Sequence, residues 1–368
     1  MVLFRKQKRW YNRPTRCVLY TREILPAPEY PVENGKPVFG TFQGPFGHFD
    51  IRGMKRPFGN LPIPELITNR RIMGIMRFLF CDDRHIGEIE LFDAGYFSFM
   101  ETTLWNRTTG RRIAYRRIIP PGFMKMPIEF SNSVTSCRSR SRFTRVHMRL
   151  QKKIIHADFD FLGSWARPPC EGRFEMDLSA PGAADLSAVT PYRVRRRCQA
   201  SFQQTAALQG WIGTGYDDYR IPLSSGVGFF DVRKAYFSLR TKMSRMIGMG
   251  RLDGKIVSFQ IGNSVTREDL KYNDNVLFVD GTSWPLPPVK ITRPYGVGGV
   301  WIIQDTESMV DLTFTPISDS ARKLSALVLR TDYHTVYGTY DGVLLTGDGT
   351  EIRLKGYPGI GKKILLRI

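Results

Sequence analysis

The sequence predicts an all-β protein, a sandwich or barrel, on three observations. Apolar residues recur mostly at every second position, the repeat of a strand with one buried face. Short turns such as Asp280-Gly281, Asp341-Gly342 and Gly347-Asp348-Gly349 separate these runs, and such positions demand the positive φ that Gly and Asp tolerate. No long amphipathic helix pattern interrupts the succession.

The elements follow in order. Residues 1–40 read as a basic N-terminal arm, in which Arg5, Lys6, Lys8, Arg9, Arg13 and Arg16 come with no acidic residue through position 16. The stretch from Pro26 to Pro64, rich in Pro and Gly, reads as irregular ordered structure. In Ile86 to Phe92 (IGEIELF), Ile86, Ile89 and Leu91 mark a strand. Tyr96 to Trp105 and Arg112 to Ile119 flank the polar loop Asn106 to Gly110, a hairpin signal. Residues 143–150 and 154–161 give two more strands, with Phe159 and Phe161 on one face and Asp158 and Asp160 on the other. Residues 200–209 have helix-like propensity, and 319–327 suit one short helix. Further strands are expected at 255–261, 289–292, 300–303, 310–314, 324–330, 335–340, 343–345 and 351–354. A first barrel is expected over 41–215 and a second over 216–368, dividing near 205–220. Phe92-Asp93-Ala94-Gly95-Tyr96-Phe97-Ser98 is echoed by Phe230-Asp231-Val232-Arg233-Lys234-Ala235-Tyr236-Phe237-Ser238, which is compatible with tandem duplication.

Charge is the largest anomaly: 54 Lys and Arg stand against 34 Asp and Glu, a formal +20. Beyond the arm, the excess gathers at 138–153, which holds Arg138, Arg140 and Arg142, and at Arg193, Arg195, Arg196 and Arg197. Strand alternation would set Arg138, Arg140 and Arg142 on one face. With Arg195, Arg196 and Arg197 they form the candidate surface for an anionic partner, an acidic protein assembly or a membrane surface. Sequence-specific nucleic acid is not the expected partner, because no base-reading module or stacking platform accompanies the charge.

Several chemistries are excluded. The longest apolar runs fall far short of a membrane-spanning helix, and the basic N-terminus leads into no apolar leader segment, so a cytoplasmic, reducing compartment is expected. The five cysteines are odd in number and never form a C-x-x-C pair, and the five histidines are scattered. Neither a disulfide framework nor a metal site is expected, and no cofactor. Gly356 to Lys363 nearly satisfies a phosphate-binding loop, but Lys363 stands where the magnesium-binding hydroxyl belongs and too few residues follow for a helix. It reads instead as a hairpin loop. The acidic pairs Asp82-Asp83 and Asp217-Asp218 read as loop caps.

Polar groups inside a barrel must be hydrogen-bonded or serve a ligand. On that ground Tyr236, Thr241, Asn263, Asn275 and His334 are candidate ligand-binding residues. Trp105, Trp284 and Trp301 join them as walls of an apolar cavity or plugs of the core. The weak candidates for acid catalysis are Asp231, Asp274 and Asp311.

In the second half, Tyr236-Phe237-Ser238-Leu239-Arg240-Thr241, Val257 to Asn263, and Asn273-Asp274-Asn275 through Asp280-Gly281 form an ordered succession. It continues through Trp301-Ile302-Ile303, Val310 to Pro316, Tyr337 to Gly342 and Gly349. With Leu61-Pro62-Ile63-Pro64 and Asp93-Ala94-Gly95-Tyr96 through Thr109-Gly110, this resembles the bacterial domain of unknown function 2804 family over roughly residues 40–360. The resemblance implies two tandem calycin- or lipocalin-like antiparallel β-barrels with few short helices. It also implies a distant similarity to the hydroxyneurosporene synthase group, which handles long apolar isoprenoids. The chain departs from the family pattern at Lys242-Met243-Ser244-Arg245-Met246, at Asp274, and after the last Gly at Lys362-Lys363-Ile364-Leu365-Leu366, and so reads as a divergent member.

The expected function is therefore a non-enzymatic binding or scaffolding protein. A barrel mouth or inter-barrel cleft would take an apolar or amphipathic small molecule, and the basic surface would dock an anionic partner. The alternative is an enzyme acting on a lipid-like or isoprenoid substrate by hydratase-like general acid chemistry, which needs a carboxyl with a raised pKa in an apolar pocket.

Overall fold

The computed structural model describes residues 19–60, 63–165, 167–193, 197–215, 217–238, 240–264, 266–326 and 329–367. It is all-β, as the alternation predicts, with one α-helix of five residues, Glu65–Asn69, and one 3-10 helix, Leu150–Lys152, among the described residues. The central path of the first, fourteen-stranded sheet runs Arg112–Ile119, Ser98–Asn106, His85–Asp93, Ile72–Cys81, Val227–Tyr236, Cys198–Gly213, Cys170–Asp177, Ile154–Phe161, Arg142–Arg149, Ser133–Arg138. The two ends of this path face each other across a seam. There Arg117 donates to the Arg138 carbonyl at 2.9 Å and Arg142 to the Arg116 carbonyl at 2.6 Å. Inside the barrel Phe78, Phe80, Phe159, Phe174, Phe202 and Phe230 are buried and in ring contact. Its lumen is a packed core.

The second, nine-stranded sheet runs Thr282–Pro285, Val276–Val279, Lys255–Gly262, Arg240–Leu252, Glu351–Arg367, Leu329–Leu345, Val310–Ala326, Trp301–Asp305, Val289–Thr292. It curves as a half-barrel around Trp301, Phe314, Tyr340 and Phe259. The chain passes from one sheet to the other between Tyr236 and Arg240, later than the 205–220 division expected.

Four local expectations are corrected. Residues 200–209 lie in the sixteen-residue strand Cys198–Gly213, where both faces are covered, so the residues read as helix-forming by propensity are set as strand by their neighbours. Residues 319–326 lie in the strand Val310–Ala326. Gly356 to Lys363 is no loop: it lies inside the unbroken strand Glu351–Arg367. Gly359 and Gly361 make room for aromatic rings: a Cβ at Gly361 would stand 2.9 Å from both Phe314 and Trp301, and one at Gly359 would meet Tyr340. The described part of the N-terminal stretch is ordered, as expected from Pro26 onward: Ile24–Pro26 pairs with Gly40–Gln43, which pairs with Ala184–Pro191. Both copies of the Tyr-Phe-Ser echo lie within or beside the first sheet, so they are not matching positions of two barrels.

Candidate functional site

The two sheets meet face to face, and the meeting faces carry a repeated order of residues. Along Ile72–Cys81, Met73 and Ile75 are followed by Arg77 and then Leu79 and Cys81, all on one side by strand alternation. The neighbouring strand reads Phe92, Glu90, Glu88, Ile86, and the next Ala235, Arg233, Asp231, Phe229. On the second sheet Glu351–Arg367 gives Leu366, Ile364, Lys362, Ile360, and Arg240–Leu252 gives Met243, Arg245, Ile247. A layer of charge thus runs between two apolar clusters.

This layer is closely paired. Arg77 meets Glu90 at 2.9 Å and Asp231 at 3.0 Å. Lys362 meets Glu88 at 2.6 Å and Glu90 at 2.7 Å. Arg233 meets Asp231 at 2.8 Å, Gln260 at 2.6 Å, and Asp274. Arg245 approaches Asp274 at 3.3 Å. Burial of each ion is costly and pairing repays it. Burial pushes the Asp274 carboxyl up, but Arg233 and Arg245 outweigh it and hold the group well below the usual range. Lys362, Arg77 and Arg322 do the same for Glu90 against its burial. At Glu88 burial wins over Lys362, and its pKa is raised. Burial and the Glu90 charge push the Tyr333 hydroxyl up to about 12.

On one side of the layer the apolar packing opens into a cavity of about 450 Å³. Its walls come from both sheets: Ile75, Phe92 and Phe99 from the first, Met243, Ile364 and Leu366 from the second. At the inner end Tyr333 donates its hydroxyl to Glu90, and both are buried. Toward solvent the lining becomes cationic, with Arg116, Arg117, Arg142, Arg322 and Lys323 beside the exposed Ile118. Glu101 accepts from Arg116 and Arg322 at 2.9 Å each, and the Arg322 guanidinium lies 3.7 Å from the Phe99 ring centre. Arg117, Arg142 and Lys323 have no carboxylate partner among the described residues.

The candidates from sequence are placed elsewhere, with one exception. Trp105 is buried between the sheets 6.2 Å from Tyr337. Tyr236 donates to the Ile51 carbonyl at 2.9 Å, and Thr241 bonds Tyr192 at 3.1 Å. Asn275 accepts from the Gly262 amide and donates to the Pro287 carbonyl, holding a loop. Asn263 is exposed beside a small polar crevice, Trp284 is half-buried, and Trp301 donates its indole N–H to Val297 at 2.9 Å in the second core. His334 is held between Asp319 at 2.6 Å and Asp332 at 3.1 Å. None of these lines the cavity.

Of the acid candidates, Asp231 and Asp274 do converge, but onto arginines, and Asp311 is exposed and accepts from Gln304 at 3.0 Å. Asp274 is thus kept ionised, the opposite of what a general acid needs. Asp82 is a loop cap as expected, accepting the His85 amide at 2.7 Å.

Arg138 and Arg142 do not share a strand face: one ends a strand, the chain turns through 139–141, and the other begins the next. Arg140 is exposed on that turn, and only Arg142 reaches the cavity. Arg195 and Arg196 lie outside the described residues, as do the clusters before residue 19. Arg197 is half-buried between the rings of Phe58 and Tyr192.

The residues missed left a signal. In IGEIELF the face of Ile89 and Leu91 fills the barrel, while Ile86, Glu88, Glu90 and Phe92 alternate with it and face the second sheet. A charge at an apolar phase of a doubly covered strand marks such a layer.

Comparison with known proteins adds a family and little chemistry. The family described as domain of unknown function (DUF2804) matches residues 29–365. No curated protein matches. The crystal structure of kievitone hydratase from Nectria haematococca aligns with 80% of this chain and 88% of that chain, at 8% identity and a TM-score of 0.43. That likeness is too slight to carry an argument.

Proposed function

The chain belongs to the DUF2804 family, and we propose that within that frame it is a binding protein. In this reading the cavity between its sheets holds the apolar body of an amphipathic molecule. One observation carries the reading: nine apolar side chains from both sheets, with Phe97, Ile118 and Phe237 joining those named above, enclose about 450 Å³ that the fold leaves unfilled. Interiors of folded proteins are close-packed, so an apolar void of this size is unfavourable unless something occupies it. Its volume lies in the range of small-molecule sites. Native mass spectrometry of purified protein, followed by extraction, tests it. An amphiphile that co-purifies with wild type and is absent from Leu366→Trp supports the reading. Wild type and variant that both lack a bound amphiphile and both fail to take up Nile red would overturn it.

A second reading, hydratase-like acid chemistry on a lipid-like or isoprenoid substrate, is favoured by the Tyr333–Glu90 contact at the inner wall. It ranks second because Tyr333, pushed up to about 12, is a weak acid, and Glu90 already accepts from Lys362.

A further inference from the structure

We infer that the molecule held in the cavity is an anionic amphiphile, its head seated at the mouth between Arg117, Arg142 and Lys323. The inference rests on the binding reading above and names the class of ligand.

The charge on the lining decides it. Five cations and one carboxylate line the cavity. Glu90 is matched by Lys362 and Arg77 behind the wall, and Glu101 matches Arg116 and Arg322. Three cations remain without a carboxylate among the described residues. Arg117 and Arg142 each have one N–H committed to a backbone carbonyl, and Arg117 also lies in hydrogen-bond contact with the Cys137 thiol. Neither guanidinium has its charge answered by a carboxylate among the described residues, and each keeps further donors. Lys323 is exposed and extends the positive rim from the second sheet. Thr331, also in the lining, has a buried hydroxyl with no partner among the described residues.

A neutral ligand would leave this charge unanswered beside an apolar pocket. An anionic head receives charge-assisted hydrogen bonds from both arginines while its tail enters between Phe99 and Met243. A cationic head would be repelled. Carboxylate and phosphate heads share this chemistry.

The test compares four amphiphiles of one chain length by displacement of bound Nile red: laurate, dodecyl phosphate, methyl laurate and dodecyltrimethylammonium. Wild type should hold laurate or dodecyl phosphate at least about tenfold more tightly than methyl laurate, the worth of one charge-assisted hydrogen bond. The stronger of the two identifies the head. The advantage should shrink in Lys323→Gln and shrink further in Arg142→Gln/Lys323→Gln, while methyl laurate binding stays unchanged. The Lys323 side chain is exposed and makes no hydrogen bond or ion pair among the described residues, so that variant remains informative if loss of Arg142 disturbs the seam. Equal affinity for laurate and methyl laurate overturns the inference and leaves the binding reading intact. Failure of all four to displace Nile red overturns the binding reading itself, and the inference with it.

Discussion

Arg77 and Asp231 stand opposite each other on adjacent strands, Nη1 to Oδ2 3.0 Å, with neither side chain exposed at all. The pair sits midway along the sheet-to-sheet contact, and its partners extend the charge across the first sheet, Glu90 and Glu88 on one side and Arg233 on the other, with Lys362 of the second sheet meeting Glu88 and Glu90. It is a hub whose members answer one another, so removing one leaves the others unpaired.

Arg77→Met is accordingly expected to cost about 3–5 kcal/mol, the penalty for stranding buried partners of an ion pair. Arg77→Met combined with Asp231→Leu should cost less than the sum of the single changes. Urea unfolding of the four proteins of the cycle checks both. Additive costs would mean that the hub is not coupled.

Lys234 gives a pH signature. Its ammonium is buried beneath Phe49, donating to the Phe49 carbonyl at 2.7 Å, and burial lowers its pKa to about 8. The unfolded value is about 10.4. Between these values the unfolded chain holds a proton that the folded chain has lost, so stability rises with pH there. Below pH 8 both states are protonated and the cost of burying the charge is fully present. Wild type should therefore gain stability relative to Lys234→Met as pH rises from 8 toward 10, by on the order of 3 kcal/mol at most. Parallel curves for the two proteins would contradict the assignment.

Tyr333→Phe separates the two functional readings. It keeps the ring that walls the cavity and deletes the hydroxyl that Glu90 accepts. Stability should fall by about 1–3 kcal/mol, the range for a lost donor to a buried charged group. Laurate should still displace Nile red. A water-adding or water-removing turnover present in wild type and lost in Tyr333→Phe would instead favour the acid-chemistry reading.

The strand Glu351–Arg367 carries a packing prediction. At Gly361 a methyl group would meet Trp301 and Phe314 at 2.9 Å, and both rings are buried with no room to retreat. Gly361→Ala should cost about 1–3 kcal/mol by overpacking. Gly254, with open space around its Cβ position, lies in a turn at φ +78 and serves as a control for backbone strain alone. A thermal melt for each variant tells crowding from strain.

Much of the fold was legible in the sequence, because strands with one face in a core alternate and their turns demand Gly or Asp. Alternation and turn chemistry carry the all-β architecture, and the ordered succession from Tyr236 to Thr241 through Asn273-Asp274-Asn275 to Tyr337 to Gly342 carries the family, whose model matches residues 29–365. The misread segments share a cause. Residues 200–209 (ASFQQTAALQ) look helical because their strand is covered on both faces, so polar and apolar residues no longer alternate visibly. Gly356 to Lys363 looks like a loop because Gly359 and Gly361 answer rings on neighbouring strands, which only the fold brings close.

The candidate site was the least legible part. Its lining comes from strands hundreds of residues apart, Ile75 and Leu366 among them, and no local motif announces it. Of the two readings open for Trp105 and Trp301, cavity wall or core plug, the structure has both as core. Phe97 and Phe237 do meet at the cavity, but one lies between the strands of a hairpin and the other just past the end of a strand. Arg142 was singled out for a macromolecular partner because a basic run says nothing of the pocket beside it.

Locating a bound ligand decides whether the cavity holds an anionic amphiphile. Laurate with a terminal bromine, bound to crystals of the full-length protein, gives an anomalous signal at the end of its tail. A bromine peak is expected inside the sheet-to-sheet cavity, enclosed by Ile75, Phe99, Met243 and Leu366, with the carboxylate toward Arg117 and Arg142. A cavity without bromine at saturating ligand, or a peak confined to the outer surface, would contradict it.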